Sequence, residues 1–200
     1  AVPKKFLAYF VLILFSIVFM FPFLWMLSTS LKQSQLVFTY PPQLIPNPVR
    51  FQNYLDAIEQ FPFFRYLWNT FYITFLITAG SILTSALAGY AFARIPFAFR
   101  NQLFILVLAV MMIPVQAIMI PIYLLIRDLG WLDSHLSLII PSLVFPFGIF
   151  LMRQFYLGLP KSLEEAAAID GCSPLRTFAS IFMPLSKPAI ATLCVFSIMG

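Results

Sequence analysis

Long apolar segments separated by short charged segments set the pattern of this chain. Three uncharged runs exceed the roughly 20 apolar residues that a helix needs to cross the hydrocarbon core of a bilayer. Backbone polar groups in that core must be satisfied within their own segment, so these runs are predicted to be helices. The predicted spans are about residues 6–28, 67–93 and 102–126, a shorter one at 135–152, and one from 188 that is incomplete as written.

Composition and charge placement agree with a membrane protein. Hydrophobic residues make up 62% of the chain and charged residues only 10%, against about 25% charged in typical soluble domains. Basic residues concentrate before the first span, in the loop at 94–100 and in the segment 153–187. Because basic residues mark the cytoplasmic side, we expect a cytoplasmic N-terminus, a cytoplasmic segment at 153–187 and an external loop at 32–66.

Prolines interrupt the third and fourth predicted spans. Pro114 and Pro121 lie in the third, with Gln116 between them. Proline removes a helical hydrogen bond and kinks the helix, and discontinuous helices border the substrate route in transporters. These three residues are therefore candidates for a substrate pathway. Two alternatives stay open, because membrane helices tolerate proline and Gln116 equally suits a hydrogen bond to a neighbouring helix.

The segment 153–187 contains a predicted helix, glycine turn and second helix. Ser162 and Glu165 have the spacing of a capping box, and Gly171 suits the left-handed end of a helix. Ser173 followed by Pro174 is typical of a new helix start. An apolar stripe at helical spacing follows, formed by Leu175, Phe178, Ala179, Phe182 and Met183.

The first of these helices carries candidate contact residues. Leu163, Ala166, Ala167 and Asp170 share one side by their spacing, and alanines allow another surface to approach closely. Local chemistry alone favours a simpler interpretation, in which Glu165 caps the helix and the alanines propagate it.

The longer spacing pattern resembles the cytoplasmic signature of binding-protein-dependent ABC importer permeases. That pattern is Glu165-Ala166-Ala167, then Gly171, Ile181 and Pro184, with Met183 where the family usually has Leu. Segments 23–32, 51–54, 69–70, 90–94 and 163–166 also look like the carbohydrate branch of that family, closest to the smaller permease of maltose-type systems. The resemblance covers essentially the whole chain, and because members normally complete a sixth span, we expect a truncated product or fragment.

The resemblance implies an all-α, polytopic integral membrane protein with an ABC type I importer permease-like helical bundle and a cytoplasmic coupling helix–turn–helix between spans 4 and 5. It implies sugar import by alternating access across a bacterial or archaeal cytoplasmic membrane. The implied partners are an ATP-binding cassette ATPase dimer, a second homologous permease, an extracytoplasmic sugar-binding protein and the lipid bilayer, with no nucleic acid. The residues implied to dock the ATPase are Glu164, Glu165, Ala166, Ala167, Asp170 and Gly171.

The same comparison implies that ATP and Mg are used by the partner ATPase. The chain has no G-x-x-x-x-G-K-[ST] phosphate loop, so we expect no cofactor, metal or catalytic residue of its own. The alternative class is an ion-coupled secondary transporter or channel. Such proteins usually carry an acidic or histidine residue within a span, whereas the seven carboxylates here lie outside the predicted spans.

The predicted orientation is testable by cysteine labelling. In a variant with Cys172 and Cys194 replaced by alanine, Ser34→Cys should react with a membrane-impermeant maleimide in spheroplasts. Ser162→Cys should react only after permeabilisation, because the basic segment around it is predicted to be cytoplasmic. Labelling of Ser162→Cys in intact spheroplasts would contradict the predicted orientation.

Overall fold

Helices joined by turns and irregular segments form the part of the chain that the structure, a computed structural model, describes: residues 2–199, with side chains from residue 5 on. No strand occurs in that range, and the predicted all-α membrane fold is confirmed. The helices are α1 (Val2–Ser30), α2 (Gln52–Gln60), α3 (Phe63–Arg94), α4 (Arg100–Met111), α5 (Val115–Asp128), α6 (Leu136–Ser142), α7 (Pro146–Leu157), α8 (Ser162–Ile169), α9 (Pro174–Thr177), α10 (Met183–Leu185) and α11 (Lys187–Met199). A short 3-10 turn at Ser34–Leu36 and a π-helical segment at Phe178–Phe182 complete the set.

The chain divides into two units, Ala1–Leu67 and Trp68–Gly200. In the first unit, α1 exposes large apolar side chains on every face, as suits a helix surrounded by lipid. The Asn53 amide donates hydrogen bonds to the carbonyl oxygens of Ser30 (2.9 Å) and Lys32 (2.7 Å). Two of the segments on which the family resemblance rests therefore meet, because Asn53 satisfies carbonyls that the end of α1 leaves without helical donors.

Three helical stretches are long and apolar enough to cross a membrane: Lys5–Ser30, Phe63–Arg94 and Leu136–Leu157. Two bent pairs raise the total to as many as five, namely Arg100–Met111 with Val115–Asp128 and Pro174–Leu185 with Lys187–Met199. The first pair bends by 100°, so the stretch 102–126 is not one straight helix. The predicted break at Pro114 is confirmed, since Pro114 is extended, while Pro121 lies inside the continuous helix α5.

Small residues let α3 pack closely against α7 in the second unit. Ser81, Ser85, Gly89 and Ala93 recur every fourth residue and are all buried, a spacing that brings membrane helices together. A Cβ atom on Gly89 would lie 2.7 Å from the Met152 Cβ and 2.9 Å from the Arg153 nitrogen. The absence of a side chain at Gly89 therefore sets the distance between the two helices.

The gap between α6 and α7 is held by α3. The Thr84 hydroxyl donates to the Leu143 carbonyl oxygen, and the Ser85 hydroxyl donates to the Phe145 carbonyl oxygen at 3.5 Å. Both carbonyls lie where the helix is interrupted before Pro146. Exposed backbone carbonyls are costly within a membrane. The Thr84 hydroxyl supplies a donor to Leu143, whereas the Phe145 carbonyl also accepts a hydrogen bond from the Ile149 amide at 3.0 Å.

Packing at Gly89 predicts a stability loss when a side chain is added. Gly89→Leu should lower the stability of the helical bundle by about 1–3 kcal/mol, because Met152 and the α7 backbone must shift. Ala79→Leu is the matched control, since Ala79 is exposed on the same helix. Thermal unfolding of the detergent-solubilised variants measures the difference, and equal midpoints would refute close packing at Gly89.

Candidate functional site

The helix–turn–helix predicted from the sequence is present, and its glycine turn is confirmed. Gly171 has a φ of +72°, and the amide nitrogens of Gly171 and Cys172 donate to the carbonyls of Ala168 (3.0 Å) and Ala167 (2.9 Å). These paired bonds form a Schellman end to α8. Left-handed backbone is costly for residues with a Cβ, so glycine fits this position.

The start of α8 differs from the prediction. Ser162 is the first helical residue rather than the cap, and the preceding Lys161 makes no side-chain capping bond. The predicted capping box between Ser162 and Glu165 is therefore wrong. The amides of Glu164 and Glu165 instead donate to the Lys161 carbonyl, so the backbone alone closes the first turn.

The second helix begins as predicted. The Ser173 hydroxyl accepts a hydrogen bond from the Arg176 amide at 3.3 Å, and Pro174 occupies the first turn. The helix then changes into the π segment Phe178–Phe182. The predicted stripe is divided, since Phe178 and Phe182 are buried whereas Leu175, in the preceding α9, is 68% exposed. π-helical segments are frequent at functional sites.

The Arg94 guanidinium connects α8 to the bundle. Its side chain is only 5% exposed, and its Nε lies 3.5 Å from the Glu164 Oε1. It also donates hydrogen bonds to the carbonyl of Tyr156, in the last turn of α7, and to that of Leu159, two residues beyond the helix. A cation at a helix C-terminus satisfies carbonyls that lack helical donors and opposes the helix dipole. Arg94, the last residue of α3, thus connects that helix to α7 and α8 through one charged group.

An aromatic cluster lies directly beneath this charge. The Arg94 Cζ is 5.4 Å from the centroid of the Phe182 ring. Tyr90 packs on Phe182 at 5.0 Å and on Phe178 at 5.3 Å, and Tyr156 packs edge-on against Phe182 at 5.7 Å. Each aromatic pair adds about 0.5–1.5 kcal/mol beyond its buried area. The cluster therefore couples the π segment firmly to α3 and α7.

The predicted docking residues do not share one face. Glu165, Ala166, Asp170 and Gly171 are exposed. Ala167 is 3% exposed and therefore lies on the side of α8 that faces the bundle, while its part in docking stays a prediction. Helical geometry explains this division, because Ala167 lies three positions after Glu164 and therefore shares its inward face.

The predicted pathway residues do not line the cavity that lies beside the α6–α7 break. Pro114, Gln116 and Pro121 are exposed. A cavity of about 540 Å³, called here the polar cavity, lies beside the α6–α7 break. Val115, the neighbour of Pro114 and Gln116, is one of its lining residues. Its lining consists of Thr74, Ile77, Ser81, Val115, Ser142, Val144, Phe145, Phe196, Ser197 and Ile198.

The sequence marks Arg94 as one of the basic residues that indicate orientation, but it does not reveal its bonding partners. Its bonding partners Tyr156 and Leu159 lie more than 60 positions away, so no local spacing identifies them. A signal was nevertheless present, because Arg94 ends one of the segments that resemble the permease family, and Glu164 belongs to another.

Comparison with known proteins places the chain among membrane components of transport systems. The family model described as "Binding-protein-dependent transport system inner membrane component" matches residues 81–200. The putative ABC transporter permease protein ORF2 of Caldicellulosiruptor sp. is 36% identical, over 88% of this chain and 64% of that protein. The sulfoquinovosyl glycerol transport system permease protein SmoH of Agrobacterium fabrum is 32% identical, over 95% of this chain and 66% of that protein.

Two further similarities extend over a comparable length. The sn-glycerol-3-phosphate transport system permease protein UgpE of Escherichia coli (strain K12) is 35% identical, over 93% of this chain and 68% of that protein. A crystal structure of a bacterial ABC transporter involved in the import of the acidic polysaccharide alginate matches with a TM-score of 0.86 and 26% identity, covering 98% of this chain and 69% of that chain. The chain spans about two thirds of the length of these relatives.

The contacts of Arg94 predict a large effect of its removal. Arg94→Ala should lower stability by roughly 2–4 kcal/mol, because it strips donors from two carbonyls and leaves the Glu164 carboxylate unpaired. Arg94→Lys should lower stability by less than Arg94→Ala, because the charge is kept but an ammonium group cannot reproduce the hydrogen bonds of the guanidinium fork. Arg176→Ala removes an exposed arginine and should change stability by less than about 0.5 kcal/mol. Thermal unfolding distinguishes them, and equal effects of Arg94→Ala and Arg176→Ala would contradict the assignment.

Proposed function

Because this chain belongs to the family of binding-protein-dependent transport system inner membrane components, we propose that it is the membrane-spanning permease subunit of an ATP-driven ABC importer. The observation that carries the proposal is the exposed outer face of α8, joined to the bundle through its inner face. A helix built in this way can receive force from a partner and pass it to the spans.

The outer face has the chemistry of a docking surface. Glu165 and Asp170 supply negative charge, and Ala166 and Gly171 permit close approach. Ile169 is 87% exposed, and buried apolar side chains dominate the energy of interfaces. We therefore propose that this face seats in an apolar groove of an ATPase subunit whose rim carries basic residues. In this proposal Glu164 and Ala167 position α8 from within.

The inner face supplies the mechanical connection. Movement of α8 displaces Glu164, which contacts Arg94 and through it the ends of α3 and α7. The second helix moves with α8 through the short Gly171–Ser173 turn, and its π segment carries the aromatic cluster. Closure of the ATPase dimer would thereby tilt the spans between inward- and outward-facing arrangements. ATP and Mg belong to that partner in this proposal, and this chain binds no cofactor.

The proposed cargo is a sugar, an oligosaccharide or a related polyol. The support is the carbohydrate character of several similar permeases and the absence of charged residues within the predicted spans. A second homologous permease and an extracytoplasmic sugar-binding protein complete the proposed assembly. We place it in a bacterial or archaeal cytoplasmic membrane with the N-terminus of this chain inside.

The docking face is tested by charge reversal. In the assembled transporter, Glu165→Lys should reduce sugar uptake at least about tenfold, because a basic rim would repel the new lysine. Glu59→Lys is the matched control, since it makes the same charge change on the exposed side of α2. Reconstituted vesicles report uptake and ATP hydrolysis together, and loss of uptake with retained membrane insertion is expected. Failure of purified chain to capture any ATPase subunit would refute the proposed function.

The turn is tested separately by proline. Gly171→Pro should uncouple hydrolysis from uptake, because proline fixes φ near −65° whereas Gly171 requires a positive value. Gly130→Pro is the control, since Gly130 has a φ of +69° and also has open space around it. Equal uptake by the two variants would count against α8 and its turn as the coupling element.

A further inference from the structure

Two arginines without an acidic partner lie at the predicted cytoplasmic ends of two packed helices. Arg100 is the first residue of α4, and Arg153 lies about one turn before the end of α7. Both stand just outside the predicted spans 102–126 and 135–152, at the depth where lipid headgroups replace hydrocarbon. Within residues 5–199, no carboxylate oxygen lies within 4.0 Å of either guanidinium. Both charges therefore lack a counter-ion in the described part of the chain.

Packing places the two guanidinium groups on the same side of α4. The Arg153 Cζ lies 4.0 Å from the centroid of the Phe104 ring, and Phe104 follows Arg100 by one turn of the helix. The Arg153 Nε donates to the Phe92 carbonyl at 3.3 Å, and the Arg100 Nη1 donates to the Ile95 carbonyl at 3.5 Å. A guanidinium carries five N–H donors. Each group is therefore oriented by one hydrogen bond and keeps most of its donors for an oxygen-rich anion.

Aromatic side chains border the basic pair. A cavity of about 310 Å³, called here the loop cavity, lies where α3 connects to α4. It is lined by Pro96, Phe97, Phe99, Arg100, Asn101 and Gln102. Exposed aromatic rings beside basic groups are typical of surfaces that lie in the membrane interface.

The backbone at Phe99 is in a conformation that favours glycine. Its φ is 60°, and left-handed backbone is unfavourable for a residue with a Cβ. The Phe99 side chain is 72% exposed, so packing within the chain offsets little of this cost. A bulky apolar residue held in a strained conformation and directed outwards points to a contact outside the chain.

We propose that Arg100, Arg153 and Phe99 bind an anionic phospholipid of the cytoplasmic leaflet. The guanidinium groups donate hydrogen bonds to the phosphate oxygens, for which the arginine fork is well suited, and Phe99 inserts beside the acyl chains. The surface potential of this leaflet favours basic sites at its headgroups. A soluble phosphate would leave Phe99 without an apolar partner. The proposal goes beyond the proposed function, because it involves neither the cargo nor the ATPase.

The experiment uses the complete transporter, with its partner subunits, in nanodiscs that contain equal amounts of phosphatidylglycerol and phosphatidylcholine. Asn101, which lines the loop cavity, is replaced by the photoreactive residue benzoylphenylalanine, and mass spectrometry identifies the lipid that becomes attached after illumination. Phosphatidylglycerol should be attached at least about fivefold more often than phosphatidylcholine, as expected for hydrogen bonds to a charged group. Excess glycerophosphoglycerol, the same headgroup without acyl chains, should not reduce this attachment.

Charge-removing variants test the arginines. Arg100→Gln and Arg153→Gln should each lower the preference for phosphatidylglycerol to less than about twofold, because the phosphate loses donors that carry charge. Arg65→Gln is the matched control, since it makes the same change at the opposite end of α3, where Arg65 is exposed. Its preference for phosphatidylglycerol should remain that of the unchanged chain.

Phe99→Gly separates lipid binding from a structural role. In lipid-free detergent it should raise the midpoint of thermal unfolding, because glycine relieves the left-handed backbone. In nanodiscs it should at least halve the yield of attached phosphatidylglycerol. Phe38→Gly removes a phenylalanine that is 95% exposed from the predicted external loop, and should leave that yield unchanged. A lower midpoint in Phe99→Gly with an unchanged yield would show that Phe99 serves the fold and would overturn its assignment.

The remaining outcomes decide the nature of the ligand. Equal attachment of the two lipids, or an unchanged preference in both arginine variants, would overturn the anionic phospholipid. Loss of attachment on addition of glycerophosphoglycerol would assign the arginines to a soluble phosphate compound. Attachment to a peptide of a partner subunit would show that the assembly covers this surface and would also overturn the proposal. None of these results depends on sugar uptake, so failure of the proposed function is detected separately.

Discussion

The contact of the Arg94 guanidinium with Glu164 is the interaction on which the second unit depends. Arg94 lies at the end of a long helix, and its charge is removed from solvent. Burying a charge is stabilising only when the group is paired and fully hydrogen-bonded. Here the carbonyls of Tyr156 and Leu159 accept hydrogen bonds from the guanidinium, and the Glu164 carboxylate, 3.5 Å away, supplies the opposite charge. The position of α8 is therefore fixed by the needs of a charge on a different helix.

Pairing with Arg94 also determines which side of α8 stays free. Once Glu164 turns inward, Ala167 follows it and becomes buried, and the opposite side remains exposed. A helix as short as α8 is not stable by itself and depends on packing against the rest of the protein. The aromatic cluster around Phe182 holds the π segment against α3 and α7, and α8 is joined to that segment through the Gly171–Ser173 turn and α9. The proposed docking face is thus the consequence of how the inner face is held.

Local sequence signals predicted the elements but not their contacts. Apolar run length predicted the helical membrane fold, and Gly171 and Ser173 predicted a turn and a cap because each acts on neighbouring backbone. The capping box failed because Ser162 entered the helix itself. Arg94, the π segment and the inward placement of Ala167 depend on residues distant in sequence. The Thr84 bond across the α6–α7 break was equally invisible, since a threonine inside an apolar run has many possible partners.

The continuous helix α3 joins the α8–α9 helix–turn–helix to the polar cavity. Tyr90 and Arg94 contact the coupling segment near the end of α3, while Ser81 lines the polar cavity about 20 Å away at 1.5 Å per residue. Between them, Gly89 and Ser85 hold α7 and the helix break against the same face. Because an unbroken helix resists bending over this distance, displacement of its Arg94 end changes the cavity wall as well. In this arrangement, the rigid helix α3 transmits force applied to α8 to the wall of the polar cavity.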